Sequence, residues 1–67
     1  MKFVAWTDDH PERENLVAPN IVRAAEQYSE SRVDDIDGEP IHVETEEGVV
    51  RRFVVHDGQA TEVTDAP

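Results

Sequence analysis

Asp8, Asp9, His10 and Glu12 follow the first apolar stretch of the chain. They bring together carboxylate oxygens and an imidazole, the donors that hold a divalent cation or a small ligand at the end of a strand. No HxH or HExxH spacing accompanies them. A second acidic run, Asp35, Asp37, Gly38 and Glu44, matches positions three, five, six and twelve of a calcium-binding EF-hand loop. The match goes no further. Position one would be Val33, Pro40 follows the glycine by two, and Ile41 to Thr45 alternates as a strand where an EF-hand continues as a helix. The run reads as a solvated acidic turn.

Other chemistry finds less support. Ser29 and Ser31 lie near a helix end with no glycine-rich elbow, and three glycines form no phosphate loop. The absence of cysteine removes thiol catalysis and thiolate zinc sites. Arg51-Arg52 is the basic pair, but alternation sends the two side chains to opposite faces of a strand, a poor footing for nucleic acid. No catalytic residue and no cofactor is assigned, and the reading leans away from an enzyme. Asp8, Asp9, His10 and Glu12 stay as the alternative metal or ligand site.

Hydrophobic periodicity sets the elements around these residues. Lys2 to Thr7 is a first strand with apolar residues on both faces, Phe3 and Ala5 on one and Val4 and Trp6 on the other. A polar loop follows, where Asp9 and Glu12 fit a capping box and would start a short helical turn. Pro19 opens an amphipathic helix that ends near Ser31, with Ile21, Ala24, Ala25 and Tyr28 inward and Val17 extending the stripe backwards. Tyr28 is expected at the edge, its hydroxyl toward solvent. A turn-rich connector follows, with Ile36 tucked beneath it.

Ile41 to Thr45 alternates strictly, and Val49 to His56 is the longest β-branched and aromatic run, bounded by Glu46-Glu47-Gly48 and Asp57-Gly58. A three-residue loop ending at Gly48 pairs Ile41 with Phe53 and His42 with Arg52. His42 and His56 then stand roughly 13 Å apart, at ~3.3 Å per residue, too far to share a metal. A three-residue loop over Asp57-Gly58-Gln59 sets Val63 opposite Phe53, whereas a two-residue loop would set Glu62 there. The longer loop is the expectation, as is a diagonal pair between Arg52 and Glu44.

The resulting class is α+β, a two-layer β-α-β-β-β arrangement with one helix on a mostly antiparallel four-stranded sheet. Residues 1–64 form a single domain and 65–67 a frayed tail. The helical crossover makes the first two strands parallel. Whether strand one lies beside strand two or strand four stays open.

Sixteen Asp and Glu against six Lys and Arg give a net charge of −10 on 67 residues, with Lys2 the one lysine. Acid excess, scarce lysine and abundant valine resemble the proteins of salt-in halophiles such as haloarchaea. That resemblance implies a molar-salt interior, where a Debye length of about 3 Å lets such a surface stay folded. Met1 to Trp6 is too short for a secretory h-region or a membrane span, so the chain is expected in the cytoplasm and off the membrane.

A domain this small has a thin core, and one helix covers one side of a sheet. Val50 and Val54 point away from the Ile41, Val43, Phe53 face, and either Val4 with Trp6 or Phe3 with Ala5 joins them. Trp6, Val50, Arg52 and Val54 are therefore the candidate partner-binding residues. The functional expectation is a non-enzymatic protein acting by association, as a homodimer or an accessory subunit.

Overall fold

The computed structural model describes residues 1–31 and 38–63. Within them the chain forms β1 (Lys2–Thr7), β2 (Glu14–Val17), α1 (Ile21–Ser31), β3 (Ile41–Thr45), β4 (Val50–His56) and β5 (Gln59–Val63). The strands make a five-stranded antiparallel sheet in the order β2-β1-β3-β4-β5, and α1 lies on one face. The α+β class is as expected, with one more strand than the periodicity indicated. The placement of Ile36 and the tail at 65–67 lie outside the described residues.

The additional strand is β2, where a polar loop and a helical turn were expected. Thr7 decides against that turn: its N–H donates to the His10 carbonyl at 3.2 Å, and its Oγ1 accepts from the His10 N–H at 3.1 Å. This closes a tight turn around Asp8 and Asp9 and sends the chain back along β1. Val17 therefore belongs to a strand, opposite Lys2 and 71% exposed, and is no part of the helical stripe. The reversal also overturns the parallel crossover. The helix now starts from the return end of a hairpin, so β3 meets β1 antiparallel, Trp6 opposite His42 and Ala5 opposite Val43. Strand one thus lies beside Ile41–Thr45.

Helix α1 begins at Ile21, two residues after Pro19, because Asn20 caps it: Asn20 Oδ1 accepts from the Arg23 N–H at 2.8 Å. Ala24, Ala25 and Tyr28 are buried against Phe3, Ala5, Ile41, Val43, Phe53 and Val55. Tyr28 is wholly buried, contrary to its expected edge position. The two alanines one turn before it let the helix approach the sheet closely enough to cover the ring.

Gly48 (φ 89°) closes the β3–β4 hairpin, with the Thr45 N–H donating to the Val49 carbonyl at 2.9 Å and Ile41 opposite Phe53 as expected. The β4–β5 hairpin departs from expectation. His56 pairs with Gln59 across the two residues Asp57 (φ 53°) and Gly58 (φ 79°), so Glu62, and not Val63, stands opposite Phe53. Left-handed conformations at both central residues match the twist of the flanking strands, and Asp-Gly suits them better than a longer loop. Glu62 then sits at the margin of the core face and reaches Arg51 at 3.6 Å. Val63 turns to the opposite face, beside Arg52.

Candidate functional site

Strict alternation along each strand gives the helix-free face its residues. The registers line them up in rows: Trp6, His42, Arg52 and Val63 in one, Asn15, Val4, Glu44 and Val50 in the next, and Val54 beside Thr61. Val4 and Trp6, and not Phe3 and Ala5, therefore join Val50 and Val54. Val50 is 48% exposed, while Val4, Trp6, Arg52, Val54 and Val63 are half-buried.

Trp6 is the centre of this face. The His42 ring stacks on it with centroids 5.5 Å apart and planes at 24°, and the Arg13 guanidinium lies 3.9 Å from its ring centroid. Such a cation over an indole is attracted by the ring quadrupole. The same guanidinium reaches Glu44 Oε1 at 3.3 Å. His42 Nε2 stands 3.0 Å from Asp8 Oδ1 and donates to it when that nitrogen carries the proton, since an ionised carboxylate only accepts.

The face differs from the rest of the surface in charge. It holds Lys2, Arg13 and Arg52, half of the Lys and Arg in the chain. Glu44 is the one carboxylate on its described strand positions, with Asp8 reaching in from the margin. Among the described residues, this acidic molecule thus presents a sheet face on which cations match or exceed carboxylates. A trough of about 530 Å³ opens beside Val4, lined by Lys2, Asn15, Val17 and Glu44 among others.

The acidic loop does not converge. Asp8 turns to His42, whereas Asp9 lies against Glu39, at the approach to β3. Partial burial and then the Asp9 carboxylate raise the Glu39 carboxyl above its ordinary range, with His10 acting in the opposite sense. Among the described residues no three of His, Asp and Glu are placed to hold a metal ion, and Glu12 joins no such group. His42 is opposite Arg52 as expected, so the spacing from His56 stands. His56 instead lies against Gly38, where an added Cβ would come within 3.2 Å of its ring.

The sheet edges are guarded. On β5, the Ala60 N–H, directed away from β4, donates to Glu26 Oε2 from α1 at 3.0 Å. The Ala60 N–H first, and then the Arg23 guanidinium at 2.8 Å, hold the Glu26 carboxyl below its ordinary range. The other edge, β2, is four residues long with Pro19 close behind it, a length and flank that discourage strand addition.

Fold and site together define a one-helix α+β protein with an aromatic, locally cationic sheet face. Compared with family models, curated proteins and solved structures, the chain shows no match, so its chemistry rests on its own geometry. No described helix is long and apolar enough to cross a membrane. Sequence reasoning set His42, Val50, Arg52 and Val54 on one face and left Trp6 as one of two options for it, but it did not bring Arg13 or Val63 there. Glu14-Asn15-Leu16-Val17 shows no polar/apolar alternation in sequence, so Arg13 reaches Trp6 only through the hairpin that pairs Ala5 with Glu14.

Proposed function

We propose that this is a small non-enzymatic protein that works by association, as a homodimer or an accessory subunit, in a high-salt cytoplasm. Its contact surface is the helix-free sheet face around Trp6, Val50, Arg52 and Val54. The observation that carries this reading is that face itself. Among the described residues the one helix covers the opposite side, which leaves Val4 and Trp6 on β1 and Val50, Val54 and Val63 on β4 and β5 to either side of His42 and Glu44. Contact surfaces combine aromatic and arginine anchors with a shortage of acid, and Trp6, Arg13 and Arg52 have that character. With both edges guarded, the face is the better place for a partner than strand addition.

The test is recovery of partners, including the chain itself, from a native high-salt lysate, using the parent and Val54→Glu in parallel. Val54 is half-buried on the open face and outside the core, so the variant is expected to fold and to lose its partner. Recovery of the same species by both proteins, or of none by the parent, refutes the reading.

A further inference from the structure

We draw no further inference here: the strongest candidate, the helix-free sheet face around Trp6 and Arg52, carries nothing beyond the reading above, because Arg13 and His42 of the same chain already lie against the Trp6 ring and nothing in the structure shows what covers the rest of the face.

Discussion

Replacing Glu26 tests how the outermost strand is held to the helix. Its carboxylate accepts the outward Ala60 N–H at 3.0 Å through one oxygen and the Arg23 guanidinium at 2.8 Å through the other, and its side chain is only 14% exposed. A hydrogen bond from a backbone N–H to a charged acceptor contributes about 1.5 to 3 kcal/mol, and the solvent-screened pair with Arg23 adds little beside it. Glu26→Gln keeps an acceptor but loses the charge, so about 1 kcal/mol should be lost; Glu26→Ala leaves the N–H unpaired and should lose about 2 kcal/mol. A domain of this length has a total stability of only about 3 to 10 kcal/mol, so either change is large. The melting point should fall by about 4 to 8 °C per kcal/mol.

The pH dependence gives an independent check. Because the folded-state value of Glu26 is lowered from 4.5, its contribution is fully present above that value and is lost as pH falls through the lowered one. Parent and Glu26→Gln should therefore differ at neutral pH and converge in acid. Urea unfolding followed by Trp6 fluorescence, in molar KCl across that pH range, measures both effects. Equal midpoints at neutral pH together with parallel acid profiles would refute the account of the β5 edge.

Gly38→Ala should destabilise by more than ~1 kcal/mol, since φ is +81° there and the new Cβ would meet the His56 ring; thermal melts of this variant and of Gly38→Ala with His56→Ala separate backbone strain from the clash. Glu39→Gln should stabilise the protein at neutral pH. The raised Glu39 value means that the stability linked to its protonation is present below the ordinary range and lost as pH rises through the raised value, so the gain should vanish in acid, a profile that melting points against pH will show. With a net charge of −10, circular dichroism should report a folded chain in molar KCl and partial unfolding in dilute neutral buffer, and equal folding in both would refute the high-salt reading.

The strands and helix with strong periodicity were legible because their patterns are local. Ile41 to Thr45 alternates, Val49 to His56 is β-branched, and Ile21, Ala24, Ala25 and Tyr28 recur at helical spacing. The Gly48 loop placed Ile41 opposite Phe53 correctly, and that register put Arg52, Val50 and Val54 on one face. The misses were decided by competition between short-range alternatives. Asp9 and Glu12 do fit a cap, but Thr7 can close a turn with His10 first, and the resulting hairpin is confirmed only by β1 lying alongside. Asp57-Gly58 admits loops of two or three residues, and strand twist selects the shorter.

By itself, then, the sequence determined the charge, the α+β class, the helix and the two-sided apolar character of β1, because composition and side-chain alternation are properties of the chain alone. Only tertiary structure decided that β1 sits between β2 and β3. That placement turned Trp6 outward with His42 and Arg13 around it, brought Val63 beside Arg52, and sent Asp8 and Asp9 to different neighbours. Such contacts join residues far apart in sequence, and which of them form depends on the direction in which a six-residue turn returns the chain.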